Sequence, residues 1–412
     1  MSAQMLDASQ LDETPMAQQI RLLLQVALLL FIVTVAIGIL NGTDLVDFSH
    51  QELMTHVHAG TLGWITLATM AGSLWLFGAG SFPQSQQDVG RLLATLAMIF
   101  VPLYVLAFFT TTGYLRPAAG AATMLVFFVF FAWVGGRIRH VELSVPHLGI
   151  LAAVASSAVG AVLGVLLGLQ IASGEKIFPT GGEDSHPAMM VVGFLVPVGM
   201  ALSEWGLRYG KPALPLTTAG KFQIGLPFVG GLLVMIGLLL DATPLIGLSL
   251  PFEIIGIVIY LRRLWPDLRS IDWINGAQER FSAFSAIALP LDIAWITYII
   301  VRFEGDVDLA PIGYILALDH LMFIGVVTNS VFALMSLASA RRRDVLPWAD
   351  SVFLFLTSIP LAIFWVGLVA DSSILKQIAT PVMGTSILLA ILTFSVRLQL
   401  SRTEPPVTAS VP

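Results

Sequence analysis

Twelve apolar stretches, separated only by short polar gaps, run through the sequence. They cover roughly 20–40, 53–78, 90–112, 117–135, 147–171, 187–207, 219–240, 244–262, 282–301, 312–338, 351–370 and 377–397. A helix of about 20 residues, rising 1.5 Å per residue, crosses the hydrocarbon of a bilayer. With no water there to solvate a peptide group, a spanning segment must be a helix or part of a closed barrel. Continuous apolar runs of this length predict helices. The expected fold is therefore an all-α polytopic membrane protein with twelve transmembrane helices. A chain that is 57% hydrophobic and only 11% charged cannot be a soluble globular domain. No gap is long enough to fold alone, so residues 1–412 read as one transmembrane domain with short cytoplasmic tails, 1–18 and 400–412.

The basic residues set an expected orientation. With the N-terminus in the cytoplasm, only Arg116, Lys176, Arg302 and Lys376 of the twenty Lys and Arg fall on the outer side. The inner loops carry Arg137, Arg139, Arg208, Lys211, Arg262, Arg263, Arg269 and Arg341 to Arg343. The outer loops are acidic, with Asp44, Asp47 and Glu52, then Glu183 and Asp184, then Glu304, Asp306 and Asp308. The first eighteen residues lack Lys and Arg but hold Asp7, Asp12 and Glu13, unlike a signal peptide. We expect a multi-pass protein of a bacterial-type cytoplasmic (inner) membrane, with both termini inside and with membrane lipid around it. A net charge of −6 gives no reason to expect a nucleic-acid partner. The absence of cysteine excludes disulfides, thiolate metal sites and thioether-linked haem.

Three of the segments align on a glycine: HVHAGTLGWITLATMAGSLW (56–75), HPAMMVVGFLVPVGMALSEW (186–205) and LDHLMFIGVVTNSVFALMSL (318–337). Gly63, Gly193 and Gly325 are spaced by 130 and 132 residues, and each interval contains four spans. The third, seventh and eleventh segments carry mid-span prolines, Pro102, Pro227 and Pro360. These markers predict three pseudo-threefold four-helix units, roughly 15–140, 141–275 and 276–400, related by an axis along the membrane normal.

Seven residues before the aligned glycine stand His56, His186 and Leu318; five before it stand His58, Ala188 and His320. Two residues on a helix differ by about 200° in direction, so His56 and His58 point to opposite flanks. If the later slot of each unit faces the earlier slot of the next, His58 meets His186 and His320 meets His56. The third cleft, Ala188 against Leu318, holds no imidazole. The opposite rule pairs only His186 with His320, and the first is preferred because it uses all four. Facing intramembrane histidines suit bis-imidazole ligation of b-type haem iron near the outer ends of their helices. His186 also fits a helix start, between Ser185 and Pro187. His50, His140 and His147 fall outside this pattern.

The H-x-H-x4-G-W pattern at 56–64 resembles the tenth helix of subunit I of haem-copper oxidases, above all the C-type oxidases and nitric oxide reductases. It is also similar to NnrS-type haem proteins of nitric oxide metabolism. The resemblance implies twelve helices in three four-helix arcs, with metal ligands on the second, sixth and tenth. It implies one or two haem b groups held by His56, His58, His186 and His320. Gly63, Gly193 and Gly325 would be small residues that admit a flat porphyrin, with Asp319 beside the metal-binding His320. It further implies electron transport or chemistry on a diatomic gas such as nitric oxide or oxygen, as an oxidoreductase if any catalysis remains. The seventh segment, TAGKFQIGLPFVGGLLVMIGLLL (218–240), has no histidine, and Ala-Met-Met follows His186-Pro187 where the oxidases have Glu-Val-Tyr. No copper is therefore expected, and no complete dinuclear centre.

Glu204, Glu253, Asp292 and Asp319 lie in or near spans, where a carboxyl must be neutral, paired or on a proton path. Two further readings stay open. One is a proton- or metal-ion-coupled transporter on the same scaffold, working through the histidines and acids. The other is a non-catalytic subunit whose acidic outer loops hold a redox partner protein.

Overall fold

The computed structural model describes residues 11, 14–78, 83–211 and 216–403. Asp7, Asp12 and Glu13, and the tail from 404 onward, lie outside the described residues. Among the described residues, twelve helices are long and apolar enough to cross a membrane. The first four are α1 Ala17–Gly42, α2 His50–Phe77, α3 Gln84–Thr110 and α4 Leu115–His140. The next four are α5 Val145–Ser173, α6 Gly182–Arg208, α7 Thr218–Leu239 and α8 Thr243–Arg269. The last are α9 Gln278–Arg302, α10 Ile312–Ala338, α11 Ala349–Val369 and α12 Ser373–Arg402. No strand occurs among the described residues.

Three helices form the centre. Over their most apolar windows α2, α6 and α10 are 83%, 78% and 83% buried, against at most 56% for any other helix. They meet at Gly72 of α2, where a Cβ atom would contact Leu202 of α6 and Leu334 of α10. Trp75 of α2 packs edge-on against Trp205 of α6 at 5.0 Å. Trp64 of α2 donates from Nε1 to Thr328 Oγ1 of α10 at 3.1 Å. Around this trio the other nine helices close a ring in the order α1, α3, α4, α5, α7, α8, α9, α11, α12. Their outward faces carry exposed apolar side chains such as Leu29, Leu106, Leu125, Val258 and Ile359, as lipid contact requires.

Each central helix changes its winding at the same place. A widened π-helical segment covers Ala59–Thr66 in α2, Met189–Leu195 in α6 and Leu321–Thr328 in α10. Each begins one residue after the later histidine slot and contains one of the aligned glycines. Side chains take up carbonyls in the wider turns: Thr66 Oγ1 donates to Thr61 O at 2.9 Å, and Asn329 Nδ2 to Ile324 O at 2.8 Å. Such segments are rare and concentrate at functional sites.

The opposite end is locked by arginines. Arg397 of α12 meets Asp350 of α11 at 2.6 Å and donates to Val345 O and Leu346 O at 2.9 and 3.0 Å. Arg263 of α8 grips Glu204 of α6 through two bonds of 2.8 and 2.9 Å, and also donates to Gln223. Arg137 of α4 donates to Phe77 O at 2.9 Å. Glu204 is thus an ion-pair partner for α8. Removing one member of a buried pair leaves an uncompensated charge, costing roughly 3–5 kcal/mol. Asp350→Asn should therefore lower the thermal midpoint of the detergent-solubilised protein clearly. An unchanged midpoint would mean that Arg397 is held by the carbonyls alone.

Candidate functional site: two histidine clefts

The histidines of α2 are presented by a well-built helix start. Ser49 Oγ accepts from the Glu52 amide, and Glu52 Oε2 accepts from the Ser49 amide at 2.8 Å. One and a half turns later His56 and His58 leave the helix on opposite sides. His56 reaches α1, where its Nδ1 lies 2.8 Å from Thr34 O. His58 faces α3, stacked on Phe108 with ring centroids 3.7 Å apart.

The two slots are held in two different ways. In the earlier slot the imidazole bonds to a carbonyl of the preceding helix: His56 to Thr34 O, and His186 to Gly160 O of α5 at 2.8 Å. A glycine four residues beyond that carbonyl makes room for each ring. A Cβ at Gly38 would stand 3.1 Å from His56 Cε1, and one at Gly164 would stand 2.7 Å from His186 Cε1. In the later slot the imidazole bonds to its own helix four residues back. His58 Nδ1 lies 2.7 Å from Met54 O, and His320 Nδ1 lies 2.7 Å from Leu316 O. Each later-slot ring then meets an aromatic from the helix that follows in sequence, Phe108 for His58 and Phe364 of α11, at 4.9 Å, for His320. His186 is therefore not a cap at a helix start; its ring is committed across to α5.

A carbonyl only accepts, so Nδ1 must be the protonated nitrogen in all four rings. Nε2 then carries a free lone pair, and among the described residues it has no hydrogen-bond partner. This is how an imidazole is prepared as a metal ligand, with the carbonyl fixing its tautomer and orientation. His147 shows the contrast. Its Nδ1 takes part in the Ser144 cap at 2.8 Å and its Nε2 lies 3.1 Å from Leu76 O, leaving neither nitrogen open.

The structure brings His56 and His320 together. His56 and His320 line one cavity of about 180 Å³ between α1, α2, α10, α11 and α12. Its wall is largely apolar, with Phe31, Trp64, Ile324 and Met383 among the lining residues, together with Asp319. On the opposite flank of α2 His58 lies against Phe108, while His186 is held against α5. Arg116 stands 4.5 Å over the Phe108 ring and donates to Phe108 O at 3.2 Å.

Gly63, Gly193 and Gly325 sit at helix contacts: a Cβ would meet Leu30 at 2.7 Å, Ser156 at 3.1 Å and Ala288 at 3.2 Å respectively. Their small size lets the π-helical segments approach neighbouring backbones, and none of the three lines the cavity. The glycines that border its histidine are Gly38 and Gly60. The helix-1 and helix-5 carbonyls that hold His56 and His186 gave no sequence signal, since any residue supplies one. The Thr34–Gly38 and Gly160–Gly164 spacing was the available hint.

Compared with protein-family models and with curated proteins, the chain matches none. One outcome follows from the hydrogen bonds alone. Nitrogen-15 histidine resonances should report Nδ1–H tautomers for His56, His58, His186 and His320 at neutral pH in metal-free protein. Nε2–H tautomers at these positions would remove the basis for calling them ligands.

Proposed function

We propose that the protein is a b-type haem-binding integral membrane protein, similar in architecture to the haem-copper oxidase superfamily and without its copper site. It carries electrons near the outer face of a bacterial-type cytoplasmic membrane. What supports this reading is the uniform setting of the four intramembrane histidines, each with Nδ1 against a backbone carbonyl and Nε2 without a partner among the described residues, and the cavity shared by His56 and His320. His56 and His320 would hold one haem and His58 and His186 a second. Bound in this way, the iron supplies one-electron chemistry. Two imidazoles per iron would leave no open position, which favours electron transfer over gas chemistry.

The residues present suit a porphyrin. The cavity beside His56 and His320 is lined mostly by apolar side chains, with Gly38 and Gly60 among its lining residues and few polar residues besides the histidines, Thr34, Thr328, Thr380 and Asp319. At the other pair, Gly164 keeps space at the His186 ring, and the buried Arg116 supplies positive charge suited to an anionic edge group. We read the three π-helical segments and the two modes of histidine support as marks of three four-helix units, with one ligand pair at each of two unit boundaries. With the arginine-locked end inside, the acidic loop residues Asp44, Asp47, Glu183 and Glu304 surround the histidine end. They suit a basic redox partner protein.

Expressed with haem supplied, the purified chain should show a Soret band and two haems b per chain by pyridine haemochrome. His56→Ala or His320→Ala should remove one haem, and His58→Ala or His186→Ala the other. Gly164→Val, which drives a side chain into the His186 ring, should act like the second group while leaving the helical content unchanged. A colourless protein under the same conditions would exclude the whole reading.

A further inference from the structure

The two flanks of α2 differ in charge, and a short turn of the chain makes the difference. Phe108 lies in the last turn of α3, Arg116 opens α4, and only Thr111 to Tyr114 stand between the helices. Inside that turn the Gly113 amide donates to Thr111 Oγ1 at 2.9 Å, and the Arg116 amide donates to Gly113 O at 3.0 Å. The chain doubles back, and the Arg116 side chain returns onto α3. Its Nη2 donates to Phe108 O at 3.2 Å, and its guanidinium carbon stands 4.5 Å from the Phe108 ring centroid. The same ring carries the His58 imidazole, stacked on it at 3.7 Å. Phe108 therefore touches both the guanidinium and the imidazole.

Arg116 is 5% exposed, and its Nε has no hydrogen-bond partner. Among the described residues no carboxylate forms an ion pair with it. A guanidinium stays charged in any protein setting. Arg116 caps the carbonyl end of α3, where a cation is favoured. One bond to one carbonyl uses little of a five-donor group, however, and leaves its charge uncompensated. Tyr104, one turn before Phe108, adds a second ring 6.5 Å from His58. Aromatic walls keep water away, and a charge in such an interior is screened far less than one in water.

The other flank differs. Among the described residues no Lys or Arg lines the cavity of His56 and His320. Phe364, the aromatic neighbour of His320, has no cation over its ring among those residues. His56 and His58 stand two residues apart, so α2 is the wall that both flanks share.

We propose that Arg116 raises the reduction potential of iron held by His58 above that of iron held by His56 and His320, so that electrons cross α2 from the cavity flank to the Phe108 flank. This rests on the haem assignment proposed for the four histidines. Ferric iron carries one more positive charge than ferrous iron, so a fixed cation nearby favours the reduced form. One electron leaves ferrous iron at the cavity and one enters ferric iron at His58. No bond forms or breaks. Arg116 acts through its charge and ligates nothing.

Potentiometric titration of the haem-replete full chain, followed by absorbance, tests it. Wild type should show two midpoints, and the component lost in His58→Ala should be the higher. Arg116→Gln should shift the reduction equilibrium of that component about tenfold toward the oxidised form, ~59 mV lower for one electron, and leave the other midpoint in place. Arg116→Lys keeps the charge without the planar fork and should hold the wild-type midpoint; were shape the cause, Lys would behave as Gln does. A His58 component that is the lower of the two overturns the proposal without any Arg116 variant having to fold. Two haems whose midpoints ignore Arg116→Gln sink this inference alone. A wild type that takes up no haem removes the haem assignment and this inference with it.

Discussion

A lipid-embedded helix bundle has no water to spend on an imidazole, so each of the four central histidines must find its hydrogen bond within the protein. All four find a backbone carbonyl, and they find it with the same nitrogen. That single choice fixes the tautomer, orients the ring, and leaves the other nitrogen with an available lone pair and no hydrogen-bond partner among the described residues. The cavity wall, the glycines beside the rings and the separation of the two flanks of α2 gain chemical meaning from it. His147, with both nitrogens engaged, shows what a purely structural histidine looks like in the same chain.

The π-helical segments show how the central helices accommodate this. Each begins directly after the later slot, so the widened turns reset the facing of everything below the histidines. Gly63, Gly193 and Gly325 then bring these segments close to α1, α5 and α9. On the three-unit reading, one backbone device has been used three times, and the side chains around it have diverged. Two boundaries received imidazoles. At the third, the position in register with Gly160 is the buried Asp292.

Much of this was visible in the sequence, for identifiable reasons. Span length reports directly on bilayer thickness, so twelve helices could be read from apolar runs. Helical geometry alone separated His56 from His58. The 130- and 132-residue spacing located the positions that prove to be π-helical, although nothing in the residue types announced the wider winding. Gly63, Gly193 and Gly325 stand at helix contacts, and a small residue serves close helix approach and ligand space equally well. Arg137 and Arg263 read as loop charge from sequence; their long side chains instead fold back to lock helix ends. The carbonyls of Thr34 and Gly160 could not have been picked out, since a backbone acceptor carries no residue signature.

The central claim is that imidazoles from different central helices converge on shared iron. Electron paramagnetic resonance of the oxidised, haem-replete protein tests this most directly, because it distinguishes two axial imidazoles from one. The account predicts two low-spin ferric signals of the bis-imidazole type, one lost with His56 and the other with His58. A spectrum dominated by high-spin iron, or low-spin signals that persist when either histidine is replaced, would contradict it.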